Sequence, residues 1–113
     1  MIKVQGLEEY KLEEIQHIIL IYINYLRENF HFEDLNFSIQ DIVPFGSRIA
    51  GLAKVDSDLD VKVKYNGEAR EDDLCNSLND RKRKLKIENI KVDFYPEKVG
   101  MQASAFVRKA NVM

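Results

Sequence analysis

From residue 7 to about residue 29, apolar side chains recur at Leu12, Ile15, Ile18, Ile19, Tyr22 and Leu26, and again at Phe30. Spacing of three and four predicts one long amphipathic helix. Glu8 and Glu9 fall in its first turn and Arg27 in its last, as the partial charges at helix ends favour. Leu20, Ile21, Ile23 and Tyr25 fill most other sides of the second half, so the helix is apolar nearly all round and a small domain covers only one side of it. Beyond an acidic connector at 31–36 the period changes. Phe37, Ile39, Val43 and Phe45 alternate imperfectly with polar residues, which predicts a strand ending at Gly46-Ser47. Pro44 donates no hydrogen bond, so that strand lies at a sheet edge or is already leaving the sheet there. Leu59, Val61, Val63 and Tyr65 alternate strictly with Asp58, Asp60, Lys62 and Lys64, the period of a half-buried strand, closed by an Asn66-Gly67 turn. Residues 68 to about 85 read as a second helix, with Leu74, Leu78 and Leu85 on one side, acids at its start and Arg81, Lys82, Arg83 and Lys84 at its end. A third strand over 87–95 puts Ile90, Val92 and Phe94 on one face and stops at Pro96; residues 100–113 form a short helix or a tail.

The order is helix, strand, short helical turn, strand, helix, strand. It predicts an α/β (α+β) domain in which a small mixed sheet of about three to four strands is packed by helices. With 113 residues and 13.2 kDa, the span 1–113 makes one domain, and 45% apolar with 32% charged residues excludes disorder and fibrous repeats. Cys75 is the single cysteine, which excludes an internal disulfide and a multi-thiolate zinc site and points to a reducing, cytoplasmic setting. A net charge of −2 gives no overall attraction to nucleic acid or to an anionic membrane. The longest apolar run, residues 18–23, is far short of the ~20 residues that span a bilayer, and residues 1–6 lack the pattern of a signal peptide.

Three acids stand out by position. Asp58 and Asp60, two apart on a strand, project from one face about 6.5 to 7 Å apart, opposite the apolar stripe that sets their register. Asp93 lies on the polar face of the third strand, so neighbouring strands would bring all three together. Clustered carboxylates need counter-charge, and hard divalent cations with oxygen ligands supply it; two magnesium ions ~3.5 to 4 Å apart drive in-line displacement at phosphorus. Taken alone, Asp-x-Asp is more often a solvated strand edge. The second feature is Gly46-Ser47-Arg48 at the end of the first strand, running into Ile49-Ala50-Gly51, a helical turn capped by Ser47 and stopped by Gly51. Glycine admits a bulky anion to the backbone, free amides and the serine hydroxyl hold phosphate oxygens, and Arg48 adds a charged donor. A calcium loop on Asp56, Asp58 and Asp60 fails, because Val61 stands where glycine is required and Gly67 where a bidentate glutamate is required. His17, His31 and Cys75 read as surface or structural residues.

Phe45-Gly46-Ser47-Arg48-Ile49-Ala50-Gly51-Leu52-Ala53, then Asp56-Ser57-Asp58-Leu59-Asp60, then an isolated Asp93, resembles the nucleotidyltransferase superfamily that includes DNA polymerase beta, and within it the minimal nucleotidyltransferases. The resemblance covers residues 37–96. It implies that Gly46 and Ser47 cradle the β and γ phosphates of a nucleoside triphosphate, most naturally ATP, with Arg48 nearby. It implies further that Asp58 and Asp60 hold two magnesium ions, for which manganese can substitute, and that Asp93 binds the ion activating the acceptor hydroxyl. A nucleoside monophosphate would pass to the acceptor and pyrophosphate would leave. Among minimal members the usual companion is a HEPN-type helical protein that the nucleotidyltransferase adenylylates as an antitoxin; a second copy of the chain is the other expected partner. The alternatives are a weakly active or inactive interaction subunit and a nucleic-acid-directed transferase using the basic run at 81–86.

Overall fold

The computed structural model describes residues 3–30 and 35–99. The expected helix or tail at 100–113 and most of the acidic connector lie outside the described residues. The elements are α1 (Leu12–Asn29), β1 (Ser38–Phe45), α2 (Ser47–Ala50), β2 (Leu59–Asn66), α3 (Glu71–Leu78), β3 (Lys86–Ile87) and β4 (Ile90–Lys98), with a 3-10 turn at Arg81–Arg83. Four strands form one mixed sheet in the order β1-β2-β4-β3. β2 pairs antiparallel with β1 and parallel with β4, and β3 closes an antiparallel hairpin on β4.

The core lies on one face of this sheet. Leu59, Val61, Val63 and Tyr65 of β2 and Val92 and Phe94 of β4 meet Ile15, Ile19, Ile23 and Leu26 of α1 and Leu74 and Leu78 of α3. Each of these buried aliphatic side chains contributes about 1.5–3 kcal/mol by leaving water. The opposite face carries the charged alternates of the same strands, including Asp60, Lys62, Asp93 and Tyr95.

Several boundaries differ from the sequence expectation, each for a local reason. α1 begins at Leu12 because the Glu14 carboxylate accepts from the Lys11 amide at 2.7 Å; Leu7 is buried ahead of it in a turn, and Glu13 and Glu14 are the first-turn acids. Of its surplus apolar residues, Leu20, Ile21 and Tyr25 face outward, Ile21 56% and Tyr25 52% exposed, whereas Ile23 is buried in the core. β1 is an edge strand, as Pro44 required. A bulge between Ile39 and Asp41 breaks its alternation, burying Ile42 and Pro44 and turning Val43 and Phe45 to the outer face. The cap of α2 is Gly46, at φ +86°, and Ser47 is the first helical residue; Gly51 stops the turn in the left-handed region at φ +78°, as expected.

The second helix spans only Glu71–Leu78. Asn79 ends it, and the Asp80 carboxylate, accepting from the Lys82 amide, starts the 3-10 turn. The basic run therefore occupies a separate turn and not a helix terminus, and the dipole argument for it fails. The third strand is in fact a hairpin, with Glu88 and Asn89 at φ 52° and 72° forming its turn. Pro96 does not stop β4. Its nitrogen faces away from β2, on the same side as the Phe94 and Val92 amides, where β3 no longer reaches, so no ladder bond is lost.

Candidate active site

β2 and β4 run parallel in a register that puts Asp60 directly opposite Asp93. Asp58, just ahead of β2, reaches the same patch, and its carboxyl hydrogen-bonds that of Asp93. The structure thus brings the three predicted acids together on the outer face. Their electrostatics are uneven. Burial first, then the hydrogen bond and charge of Asp93, push Asp58 above the usual carboxylate range. Burial and the Asp93 charge likewise raise Asp60, against a hydrogen bond from Tyr95. Burial works in the same direction on Asp93, but the Lys84 ammonium and the Asp58 hydrogen bond outweigh it and hold Asp93 low. Within the pair Asp93 is therefore the more readily ionised and Asp58 the more readily protonated.

The Gly46-Ser47 turn belongs to the same patch, because Phe45 pairs with Asp60 in the β1–β2 ladder. A side-chain carbon added at Gly46 would stand 2.6 Å from Asp60 Oδ2, so at this point the backbone approaches the carboxylate as only glycine allows. Arg48 does not join them. It is 5% exposed, and its guanidinium donates to the carbonyls of Gln5 at 2.7 Å and of Ser57 at 2.7 and 3.0 Å. Those bonds tie the amino-terminal segment and the Ser57 loop beneath the turn. The phosphate-binding role expected of Arg48 gives way to a structural one, since a buried cation with its donors occupied by carbonyls has none to offer a ligand.

Three further residues shape the patch. Lys84 pairs with Asp93 as a partly buried ion pair. The Asn79 side-chain oxygen accepts from Lys84 Nζ at 3.0 Å and from the Phe94 amide at 2.8 Å, while its nitrogen donates to the Phe94 carbonyl at 2.9 Å. Asn79 thus stands in for a neighbouring strand exactly one residue after Asp93. Tyr95 lies beside Asp60 and packs edge-on against Phe45, ring centroids 5.3 Å apart. In the sequence Lys84 was one of a basic run and Asn79 a helix-interior polar residue; only the helix-ending habit of asparagine hinted at the latter.

Hard oxygen donors of this kind suit magnesium or manganese. Among the described residues no three such side chains stand close enough to enclose one ion as placed. Asp93 is held by Lys84, and that ammonium supplies the counter-charge a cation otherwise would. The donor set fits divalent ions in chemistry and in shared face; Lys84 bonds one of the two Asp93 oxygens.

A groove of about 1070 Å³ opens from this patch toward the β3 edge. Asp58 and Asp93 form its acidic end, Arg81, Lys82, Lys86 and Lys91 its exposed basic wall, and Tyr22, Tyr25 and Phe30 of the α1 end its aromatic side.

No helix among the described residues is long and apolar enough to cross a membrane. Comparison with curated proteins and with solved structures finds no match. A family model described as a nucleotidyltransferase domain matches residues 23–102, a span that takes in Gly46, Ser47 and all three aspartates. The four-stranded mixed sheet with its helices is the fold expected of that family. Its general reaction is transfer of a nucleoside monophosphate from a nucleoside triphosphate. The chain belongs to the nucleotidyltransferase domain family.

Proposed function

We propose that the chain transfers the nucleoside monophosphate of ATP to an acceptor hydroxyl, with Asp58, Asp60 and Asp93 as the catalytic and metal-holding residues and Gly46 and Ser47 as the phosphate cradle. The observation that carries this reading is the close approach of Gly46 to Asp60, which joins the cradle to the carboxylates in one site. Asp58 and Asp60 would hold two magnesium ions and Asp93 one of them; bound there, the ions neutralise charge developing on the phosphate oxygens. The protein's own part is positional. The Gly46 turn would bring backbone close to the β and γ phosphates, and with Asp60 opposite Asp93 in the β2–β4 register the α-phosphate would lie before Asp93. The acceptor oxygen bonds to the α-phosphorus as the bond from that phosphorus to the bridging oxygen breaks, and pyrophosphate leaves with the electron pair. The hydroxyl proton passes to an Asp93 carboxylate oxygen and on to solvent.

A second reading concerns the acceptor. The resemblance to minimal nucleotidyltransferases implies a HEPN-type partner, and the outward residues Leu20, Ile21 and Tyr25 of α1 offer apolar surface to a protein. The test incubates the chain with magnesium and α-labelled ATP, alone and with candidate acceptors, beside Asp58→Asn/Asp60→Asn. Label transfer by the wild type and a loss of about a thousandfold in the double variant are expected, several kcal/mol of transition-state stabilisation being removed. Equal labelling by both, or none with any divalent metal, would leave only a binding subunit.

A further inference from the structure

We infer that Lys84 is a positioning residue for the reaction: its ammonium, braced by Asn79, fixes the Asp93 carboxylate in one orientation beside Asp58 and Asp60. This rests on the nucleotidyl-transfer reading and adds to it a residue that acts through Asp93. What surrounds Asp93 on β4 is the first argument. Val92 donates its amide to the Leu85 carbonyl at 3.0 Å, and Phe94 donates its amide to Asn79 Oδ1 at 2.8 Å. Between those two bonds, Lys84 Nζ donates to Asp93 Oδ1. The segment 79–85 therefore holds the main chain on both sides of Asp93 and its carboxylate as well, beyond the point where the β3 ladder ends at Lys91.

The second argument is how firmly Lys84 is itself held. Asn79 uses all the hydrogen bonds its amide can make: Nδ2 donates to the carbonyls of Cys75 and Phe94, both at 2.9 Å, and Oδ1 accepts from the Phe94 amide and from Lys84 Nζ at 3.0 Å. The turn leading to Lys84 is closed by Arg83, which donates to Asp80 at 3.0 Å and to the Ser77 carbonyl at 3.1 Å. Tyr22 of α1 donates to the Arg83 carbonyl at 2.8 Å. Along the basic run, Arg81, Lys82, Lys86 and Lys91 are exposed, whereas the Lys84 side chain is 15% exposed. A lysine that serves only solubility keeps its head group in water; one withdrawn from it needs a fixed partner.

Asp93 needs such a hold. Its side chain turns about two bonds, and the like charges of Asp58 and Asp60 beside it drive a free carboxylate away. With Lys84 on Oδ1, the carboxylate is fixed and Oδ2 is left for the reaction. A group that takes a proton in the transition state loses rate steeply when it is displaced by even an ångström.

The test reads orientation first and turnover second. Three-bond Hα–Hβ couplings of Asp93 are measured by NMR in the full chain, without metal, for wild type, Lys84→Met, Lys84→Gln and Lys84→Arg, with folding checked by thermal melting. The wild type is expected to show one staggered rotamer. Lys84→Met should show rotamer averaging, as should Lys84→Gln, which keeps a polar side chain if the methionine variant does not fold; Lys84→Arg, which keeps a charged donor, should return toward the single rotamer. One and the same rotamer in all four overturns the inference. With α-labelled ATP and an acceptor that the wild type labels, Lys84→Met is expected to lower kcat about tenfold or more with KM for ATP unchanged, and Lys84→Arg to recover part of the loss. An unchanged kcat in a variant whose Asp93 is averaging overturns the positioning role and leaves nucleotidyl transfer intact. No label on any acceptor with the wild type, while the rotamer result holds, overturns nucleotidyl transfer and leaves the hold of Lys84 on Asp93 standing.

Discussion

Gly46 is the residue on which the two halves of the site depend. Its positive φ and the proximity of Asp60 Oδ2 leave no room for a side chain. Gly46→Ala should cost about 1–2 kcal/mol from the left-handed backbone, with further loss from displacing Asp60. A denaturant titration showing that loss together with abolished nucleotide transfer is the expected result. The acids make a second residue-scale prediction. Asp58 is held above and Asp93 below the ordinary carboxylate range. The sign follows from linkage. Asp58, raised on folding, contributes stability that is lost as pH rises through its folded value; Asp93, lowered, contributes stability lost as pH falls through its own. Carbon-13 NMR of the side-chain carboxyls should find Asp58 titrating well above Asp93, and Asp93→Asn should bring Asp58 back toward its ordinary value. Two coincident, unshifted titrations would contradict the hydrogen-bonded pair.

Among the elements, β4 carries the most consequence, because the strand next to the sheet edge is held at Phe94, where β3 no longer reaches, by a side chain. Asn79→Ala removes the acceptor for the Phe94 amide and the donor to its carbonyl, and it loosens Lys84. Leaving those backbone groups unpaired should cost about 2–3 kcal/mol in thermal or denaturant unfolding. Asn79→Asp, which keeps the acceptor, should cost less. The elements also show how far sequence reading reaches. Strict alternation in Leu59 to Tyr65 fixed β2 and the side on which Asp60 lies, since a register slip would bury charge. The periodic apolar residues placed α1. What stayed hidden was set by side-chain to main-chain bonds with no period: Asn79 ending α3, Asp80 starting the next turn, and a hairpin turn at Glu88-Asn89, where glutamate gives no turn signal. Pro96 misled because its effect depends on which edge its nitrogen faces, a matter of topology.

At the scale of the whole molecule, one sheet face packs the core and the other carries the three aspartates, with the Gly46 turn after β1 on one side of them and the basic run at 81–91 beside β4 on the other. The grouping of the aspartates with the glycine turn was legible because strand alternation and a strand end fix the face and position of those residues. Arg48 was misread because a buried arginine and a ligand-binding one look alike until the carbonyls around it are known. The most direct measurement compares ATP labelled at the α-phosphate with ATP labelled at the γ-phosphate, using wild type and Asp93→Asn. The account predicts that α label passes to the acceptor while γ label leaves as pyrophosphate, and that Asp93→Asn, still folded, does neither at a detectable rate. Transfer of the γ label to the acceptor, or undiminished α transfer by Asp93→Asn, would contradict it.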